Sequence, residues 1–401
     1  MTVKQIYELM NTVTGEVLGK TDLVAEDLSN VVDVGTEVFN ATAVDNYVKT
    51  LVNHIGKVIF VNRPYSGKIP SVLMDSWEFG SVLEKISCDT PAAEENESWD
   101  LVDGQEYKQD IFYKPTVSAK FFNSKVTFEV PMSFTEKQVK ESFSNAAQLN
   151  GFISMIYNAV DRSMTIKIDG LVMRTINSMI AQTLNADKTA FAGGYGTAST
   201  ARCVNLLKLY NDKFFPASGS TANPDALTAA KAIYDPDFIR FASYTMGVYV
   251  DRLASISTLF NVGGKDRFTD ANNLHVIMLS DFAKGADVYL QSDVRHNEMT
   301  RLPNYETIPY WQGSGQNYEF DSTSAINVKI DASTTVDIDG IVGVMFDRDA
   351  LGVSNLDRRV TTAYNAKAEF FNNYYKFDAG YFNDTNENFV VFFVSDAKTA
   401  G

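Results

Sequence analysis

The strongest pattern of apolar positions along the chain lies between residues 136 and 185. Apolar residues recur there every three or four positions, at 149, 152/153, 156, 160, 164, 168, 171/172, 176, 179/180 and 184. This spacing places them on one face of an α-helix. No proline falls between Pro131 and Pro216, and Asn145 suits a helix start. The pattern predicts one helix from Asn145 to Asn185, about 60 Å long at ~1.5 Å per residue.

Two glycines interrupt this predicted helix. Gly151 and Gly170 each cost a helix interior about 1 kcal/mol relative to alanine. We expect close packing against another element to explain them. Heptads are not sustained along the segment, so the pattern favours a single helix over a coiled coil.

Residues 60–133, which precede the helix, have the pattern of an extended and largely two-stranded excursion. Strand-like pieces, "GSVLEKI" and "QDIFYKP", flank the acidic stretch "PAAEENESWD", which we interpret as an exposed loop tip. Next, "TVSAKFFNSKVTFEVPMSF" alternates as a strand pair does. Five aromatic residues mark the sides of the excursion: Trp77, Phe79, Trp99, Phe112 and Tyr113.

The segments at the two ends of the chain differ in their patterns. Residues 1–42 are acidic and patchily amphipathic, which is typical of an arm, with a short helix at "VKQIYELM". Residues 43–57 have helical spacing, and "VIFVNRPYSGKIP" has that of a broken strand. Residues 358–394 predict two aromatic strands that meet around residues 383–384.

Between these parts, residues 224–350 alternate helix and strand patterns and predict a compact α/β lobe. Helices are predicted at "PDALTAAKAI", "PDFIRFASYTMGVYVDRLASIST" and "DFAKGADVYLQSD", and strands at "LHVIMLS" and at the start of "VDIDGIVGVMFDRDALG". The acidic stretches "DTNEN" (384–388) and "DIDG" (337–340) lack the ligand spacing of a calcium loop. We predict that both are solvated turns.

Composition and charge exclude several classes of protein. The net charge is −15, and no run rich in lysine and arginine occurs, so sequence-specific binding of nucleic acid is not expected. No stretch approaches the ~18 to 20 apolar residues of a membrane span, and the N-terminus is too polar for a signal peptide. Cys88 and Cys203 lie far apart, which fits a reducing compartment.

The sequence offers little support for catalysis. His54, His275 and His296 share no metal-ligand spacing, and His275 lies in the apolar run "LHVIML", which favours a hydrogen-bonded core histidine. No motif of a nucleophile with its base, of a metal site or of a phosphate-binding loop occurs. We therefore expect neither enzyme activity nor a cofactor. One alternative is a metal-dependent hydrolase built from four aspartates: Asp337, Asp339, Asp347 and Asp349.

The stretch "FDRDALGVS" at 346–354 concentrates charge at the end of a predicted strand. Asp347 and Asp349 would point the same way in an extended segment, with Arg348 on the other face. In a turn, either carboxylate could cap a short helix at "ALG" or pair with Arg358 or Arg359. We interpret these three residues as a structural turn.

The order of these parts resembles the major capsid proteins of tailed bacteriophages, which have the Hong Kong 97-type fold. The resemblance rests on "MDSWEFGSVLEKI" with "KPTVSAKFFNSKVTFEVPMSF", on the helix 145–185, and on "IVGVMFDRDALGVS" with "RRVTTAYNAKAEFFNNYYKFDAGYF". It implies an α+β fold with an N-terminal arm, an extended E-loop hairpin, a peripheral domain with a long spine helix, and a central axial α/β domain. The implied segments are 1–42 (arm), 43–134 (peripheral entry and extended loop), 135–200 (peripheral domain with spine helix), 201–350 (axial domain) and 351–401 (returning strands).

The resemblance also implies a function. Such proteins assemble as pentamers and hexamers into an icosahedral head shell that encloses double-stranded DNA without sequence-specific contact. The implied partners are further copies of the chain, a separate scaffolding protein and a portal protein. Assembly would take place in the host bacterial cytoplasm and the product would be the virion shell. The five aromatic residues of the excursion would bury against a neighbour. An encapsulin-like cargo compartment, which has the same fold, is the nearest alternative.

Overall fold

The computed structural model describes most of the chain. The described residues are 3–19, 24–26, 29–30, 32–34, 36, 50–51, 69–74, 83–88, 90–91, 93–107, 110, 112–142, 144, 146–218, 223–291, 302, 304–312 and 319–396. Within these ranges, no helix combines the length and the apolar character needed to cross a bilayer.

The described helices and strands alternate along the chain. The helices are α1 (Val3–Leu18), α2 (Glu136–Ser142), α3 (Ala146–Ala186), α4 (Leu206–Phe214), α5 (Ala229–Ala232), α6 (Pro236–Leu253), α7 (Ser280–Gln291) and α8 (Phe320–Thr323). The strands are β1 (Leu73–Met74), β2 (Leu83–Cys88), β3 (Val117–Phe122), β4 (Lys125–Thr135), β5 (Cys203–Asn205), β6 (Leu274–Leu279), β7 (Tyr305–Ile308), β8 (Ile326–Lys329), β9 (Thr335–Ile338), β10 (Ile341–Asp347), β11 (Leu351–Asn365), β12 (Phe370–Asn383) and β13 (Phe389–Phe393).

The long helix predicted from apolar spacing is confirmed as α3, which has 41 residues. Its apolar stripe is buried from Leu149 through Ile168 to Leu184, as a period of 3.6 residues requires. The proposed cap, Asn145, lies outside the described residues. Gly151 and Gly170 are exposed, and a Cβ added to either would meet no atom within 4 Å. The expectation that close packing explains these glycines is therefore wrong.

The chain forms two compact units. The first contains residues 1–79, 124–172 and 353–380. Its four-stranded sheet has the order β1-β11-β12-β4, with β12 and β4 antiparallel over eleven residue pairs. Alternate residues of β12 are buried, and Phe134 of β4 meets Phe152 of α3 edge-on at 5.5 Å. The predicted short N-terminal helix is confirmed but is longer than expected, and α1 buries one apolar face.

The second unit contains residues 80–123, 173–352 and 381–401. Its five-stranded sheet has the order β5-β13-β10-β6-β7, and every residue of the interior strand β13 is buried. Helices α4, α6 and α7 contribute to a core that also contains side chains of β6, β10 and β13. The predicted strand "LHVIMLS" and the helices on either side of it are confirmed as β6, α6 and α7.

Two antiparallel strand pairs complete the second unit, β2 with β3 and β8 with β9. The prediction that residues 116–134 form a strand pair is wrong in its partners. Both strands exist, but β3 pairs with β2 over six residues and β4 pairs with β12. β4 makes eleven residue pairs with β12, whereas the six-residue β3 could give it at most six. Because each cross-strand pair stabilises a sheet, β4 gains more from β12 than from β3.

Other local predictions differ from the structure. The described residues of "QDIFYKP" form no strand, and "PDALTAAKAI" contains only the four-residue helix α5. Pro224 and Asp225 form a turn, and Thr228 has the extended conformation of a helix cap. The helix therefore begins only at Ala229. Most of the helix predicted at 43–57 and of the strand at 58–70 lies outside the described residues, as do His54, His296, Trp77 and Phe79.

Candidate functional site

Asp347 ends the buried strand β10, and Asp349 lies in the tight turn that follows it. Asp347 Oδ2 accepts a hydrogen bond from Thr269 Oγ1 at 2.7 Å, and its Oδ1 accepts one from the backbone N–H of Asp349 at 2.9 Å. The backbone N–H of Arg348 donates to Asn273 O at 2.9 Å. Both oxygens of Asp347 are therefore engaged in holding the turn.

This turn differs from the cap that the sequence predicted. Residues of "ALG" form no helix, because Leu351 begins strand β11 directly after the turn. Arg359 pairs with Asp378 at 2.7 Å, not with either aspartate of the turn. Burial raises the pKa of Asp347, and bonds from Asp349 and Thr269 only partly oppose that rise.

A pair of lysines connects the β2–β3 hairpin to the loop that contains "DTNEN". Lys85 and Lys120 are cross-strand partners on one face of the hairpin. Lys120 Nζ lies 2.9 Å from Asp384 Oδ1, and Lys85 Nζ lies 3.1 Å from Asp384 Oδ2 and 2.8 Å from Glu387 Oε1. Lys85 Nζ also donates to Asp349 O at 3.2 Å, so the hairpin, the loop and the turn share one cluster.

The prediction that "DTNEN" is a solvated turn is wrong. The Asp384 side chain is 3% exposed, and Glu387 and Asn388 are also buried. Burial opposes ionisation of Asp384, but the hydrogen bond from Lys120 and the charge of Lys85 outweigh it and lower the pKa of Asp384. Burial likewise opposes the charge of Lys85, and Glu387 and Asp384 together raise its pKa.

"DIDG" is also less solvated than predicted. Gly340 is buried, and its backbone N–H donates to Ser324 Oγ at 2.8 Å. Its φ of +82° requires the left-handed region that favours glycine. Asp337 and Ile338 thus belong to β9, and Asp339 and Gly340 form the packed connection to β10.

The opposite face of the β2–β3 hairpin is exposed and largely apolar, with Glu84 opposite Phe121 at one end. Ile86 and Phe121 are both well exposed on it, as is Val117. Ile86 pairs with Ala119, and Cys88 pairs with Val117, so these side chains form a continuous apolar face. A two-stranded ribbon is marginal by itself, which makes an uncovered apolar face a feature that a partner would bury.

The hairpin ends in an acidic segment with exposed aromatic side chains. Trp99 is 93% exposed and Phe112 is 86% exposed, and Tyr113 is exposed beside them. The predicted exposed tip is therefore present. Local hydrogen bonds shape it, including one from the Val102 N–H to the Tyr107 hydroxyl at 2.9 Å. Nothing else in the second unit presents an aromatic side chain as fully as Trp99 among the described residues.

The described residues offer little for cofactor or metal chemistry. Within the described ranges, no group of three or more histidine, cysteine, aspartate or glutamate side chains could hold a metal ion. His275 stacks on Phe346 with ring centroids 5.9 Å apart, and its buried Nδ1 has no partner among the described residues. Burial and the charge of Arg348 lower the pKa of His275. This histidine packs in the core as predicted, but it is not fully hydrogen-bonded.

The sequence analysis missed the lysines and carboxylates of the cluster. Lys120 lies between Ala119 and Phe121, and Lys85 lies between Glu84 and Ile86, and such lysines normally belong to a solvated face. The sequence feature that could have indicated these buried carboxylates is "DTNEN", a dense run of polar residues between two strongly aromatic strands. Its carboxylates pair with Lys85 and Lys120 of the hairpin.

The chain matches one family model and is similar to solved structures. The family model described as Phi29-like phage major capsid protein matches residues 10–393. In structure, the chain is similar to one from the capsid structure of Staphylococcus phage Andhra, with a TM-score of 0.50 and 7% identity, covering 83% of this chain and 86% of that chain. It is also similar to one from the structure of head fiber and inner core protein gp22 of native bacteriophage P68, with a TM-score of 0.49 and 7% identity, covering 82% and 84%. The search of curated proteins found no significant match.

Proposed function

Because the chain belongs to the family of Phi29-like phage major capsid proteins, it is the major capsid protein of a phage, and we propose that it assembles as pentamers and hexamers into an icosahedral head shell. A contact between two different surfaces of one chain generates a ring when the rotation closes. In the proposed arrangement the axial domain, residues 201–350, gathers at the centre of each ring. The peripheral segments 43–134, 135–200 and 351–401 then meet neighbouring copies, and the arm, residues 1–42, packs on another part of the shell.

The observation that carries this proposal is the exposed apolar surface of the β2–β3 hairpin and its tip. A single copy of the chain exposes the side chains of Trp99, Phe112 and Tyr113 to solvent. Exposed apolar patches of this kind mark contacts with other proteins, and aromatic side chains dominate the binding energy of such contacts. The predicted contact residues Trp77 and Phe79 belong to the same proposal.

The ionic cluster supports a structural role for the turn at residues 347–349. We assign to Asp347, Arg348 and Asp349 the role of fixing the point where β10 ends, next to the base of the hairpin. Lys85 and Asp384 then hold the hairpin at a set angle before a neighbour binds it. A hairpin ordered in advance loses less conformational entropy when it is buried.

The remaining partners follow from charge and from the family. The net charge of −15 suits a shell wall that encloses double-stranded DNA without adhering to it. We propose a separate scaffolding protein and a portal protein as further partners, and assembly in the host bacterial cytoplasm. Catalysis is no part of the proposal, since the oxygens of Asp347 are used to hold the turn.

Electron microscopy of the purified protein tests this proposal directly. Negative staining, together with size exclusion and light scattering, should reveal closed particles, rings, tubes or sheets of hexamers. Because a scaffold can be required, the measurement is repeated with co-expressed scaffolding protein and with a crowding agent. A species that stays monomeric or dimeric under all three conditions would overturn the proposed assembly.

Substitutions at the tip link assembly to the apolar surface. Trp99→Ala should raise the protein concentration needed for assembly, because it removes the most exposed aromatic side chain. Gln105→Ala is the matched control, since this exposed polar residue lies in the same segment and its side chain adds little apolar area. Equal assembly of Trp99→Ala and the control would contradict the role given to the tip.

A further inference from the structure

The second unit carries an open groove that is lined by its helices α4 and α6. The groove has a volume of about 800 Å³. Four of its lining side chains recur at helical spacing on one face of α6, and they are those of Phe241, Tyr244, Val248 and Arg252. From Phe241 to Arg252 the groove follows α6 for about 16 Å, at ~1.5 Å per residue, which matches about three turns of a helix laid beside it.

The lining of this groove is mainly apolar and open to solvent. Tyr244 is well exposed, as are Ile256 and Leu259 of the loop that follows α6. Exposed apolar surfaces of this kind mark binding sites. Within the described residues, none of the strands β1–β13 lines the groove, so it offers no strand edge to an extended peptide. A groove with helical walls suits an amphipathic helix, which lays its apolar face between them.

Two cations line the groove, Lys213 and Arg252, and its described lining contains no carboxylate. Lys213 Nζ lies 5.5 Å from the ring centre of Phe241, and the Arg252 guanidinium lies 5.3 Å from that of Tyr249. In the part of the chain that the structure describes, neither cation forms an ion pair, although the chain has 50 acidic residues and only 35 basic ones. Two cations held on aromatic rings without a carboxylate leave the groove ready for an anionic partner.

The described helices of this chain do not supply such a partner. The apolar stripes of α1 and α3 are buried in the folded chain, and α4, α6 and α7 bury theirs in the core of the second unit. The face that α3 leaves exposed carries Arg162 and Lys167, which the cations of the groove repel. The described part of the acidic hairpin tip contains only a one-turn 3-10 helix, Glu97–Trp99. A helix from a separate protein therefore fits the groove better than one from a second copy.

We propose that the groove between α4 and α6 binds an acidic amphipathic helix of a separate protein. Apolar side chains at helical spacing along that helix fill the space beside Tyr244 and Ile256, and its carboxylates meet Lys213 and Arg252. Burial of the apolar face supplies the affinity, and the opposite charges select the partner and set its register. This inference concerns a partner other than the shell subunit and does not rest on self-assembly.

Fluorescence anisotropy with two designed peptides tests the proposal on the full, unassembled chain. The first is a labelled peptide of about 14 residues, with leucine or phenylalanine at every third or fourth position and glutamate elsewhere. The second has lysine in place of each glutamate. The acidic peptide should bind, and the basic peptide should bind about tenfold more weakly, because Lys213 and Arg252 repel it.

Charge reversal in the groove should exchange these preferences. Lys213→Glu with Arg252→Glu should weaken binding of the acidic peptide by about tenfold and strengthen that of the basic peptide. Lys284→Glu with Lys329→Glu makes the same change in net charge at exposed sites outside the groove and should leave both affinities unchanged. Circular dichroism verifies that each variant is folded. Absence of binding by the acidic peptide at millimolar protein, or equal losses in both double variants, would overturn the proposal.

The apolar part of the contact has its own matched pair of variants. Tyr244→Ser removes an exposed aromatic side chain from the groove and should weaken binding of the acidic peptide severalfold. Tyr234→Ser is the control, because Tyr234 lies outside the groove and is exposed to nearly the same fraction, 69% against 67% for Tyr244. Equal losses in these two variants would place the peptide elsewhere on the chain and contradict the proposal.

Two further measurements separate this partner from other occupants of the groove. If a second copy covers the groove, affinity for the acidic peptide should fall as the chain is concentrated, and light scattering should show dimers that Lys213→Glu with Arg252→Glu dissociates. A labelled oligothymidylate that binds more tightly than the peptide, and loses affinity in the same variant, would assign the groove to single-stranded nucleic acid. Either result would overturn the proposal, while the shell assembly is tested separately by electron microscopy.

Discussion

Lys85 of β2 and Lys120 of β3 lie directly opposite each other, and both bind the same carboxylate, that of Asp384. Two like charges facing each other across a strand pair repel and destabilise it. Asp384 reverses that effect by placing one oxygen near each ammonium, at 3.1 and 2.9 Å. The hairpin is therefore held to its own unit by a carboxylate that the chain supplies from far along the sequence.

Removing this carboxylate should destabilise the second unit. We expect Asp384→Ala to lower the free energy of unfolding by about 2 to 3 kcal/mol, below the cost of breaking a fully buried pair, because both lysines keep partial contact with water. Urea denaturation of the unassembled protein measures the change, and amide exchange in β2 and β3 should accelerate with it. Asp212→Ala is the control, since its pair with Lys208 is exposed and should contribute little. Equal effects of the two variants would refute the importance of the cluster.

The stabilisation from Asp384 should depend on pH in a definite direction. The pKa of this carboxyl is lowered in the folded chain. The stabilisation from Asp384 is thus fully present above the pKa of the unfolded chain, about 3.9. It is lost as the pH falls through the lower pKa of the folded chain. The stability difference between the natural chain and Asp384→Asn should be largest above about pH 5 and should shrink below about pH 4.

Asp347 provides a control of opposite sign for this pH dependence. Its folded pKa is raised, so ionisation of Asp347 costs the fold stability as the pH rises. The advantage of the natural chain over Asp347→Asn should therefore fall with increasing pH. Thermal unfolding of both variants between pH 3 and pH 7 makes the comparison. Parallel curves for the two variants would contradict the assigned shifts.

Elements governed by local pattern were predictable from the sequence. The stripe of α3 recurs at the helical period for its whole length, and β6 is an apolar run too short for a helix. The α+β class and the Hong Kong 97-like capsid fold, which the resemblance implied, are confirmed. The five-segment division and the contact residues of the excursion stay predictions.

Features set by distant parts of the chain were not predictable. Asp384 can be buried because Lys85 and Lys120, which lie 299 and 264 positions earlier, pair with it. A single sequence carries no signal for that distance. Likewise, β4 pairs with β12, a strand from a distant part of the chain. The alternation of apolar and polar residues predicts a strand but does not predict which strand it pairs with.

The exposed glycines of α3 offer a gain in stability. Gly151 and Gly170 lie in the helix, with open space where a Cβ would stand. Alanine at each position should raise the free energy of unfolding of the unassembled protein by about 0.5 to 1 kcal/mol, because alanine loses less backbone entropy than glycine. Gly343→Ala is a contrasting control, since its Cβ would press on Ile277 O and destabilise the sheet. A loss of stability in both helix variants would show that the space beside these two glycines is occupied.

The two cysteines should react very differently with a thiol reagent. Cys88 is exposed at the end of β2, whereas Cys203 is buried in β5 and burial raises the pKa of its thiol. Ellman's reagent should therefore modify one thiol per folded chain and two in urea. Cys88→Ser should leave no thiol that reacts in the folded state. Rapid modification of two thiols in the folded chain would contradict the burial of β5.

The turn at Gly340 should be the least tolerant of a side chain. A Cβ at this position would overlap Val394 O, and its φ of +82° is costly for other residues. We expect Gly340→Ala to cost more than about 3 kcal/mol, since overlap adds to backbone strain. Gly264→Ala separates the two causes, because Gly264 also has a positive φ but has no atom within 4 Å of its Cβ position. Its cost should be about 1 to 2 kcal/mol, the backbone part alone. Chemical denaturation of the two variants gives both values, and equal losses would show that the contact with Val394 adds nothing.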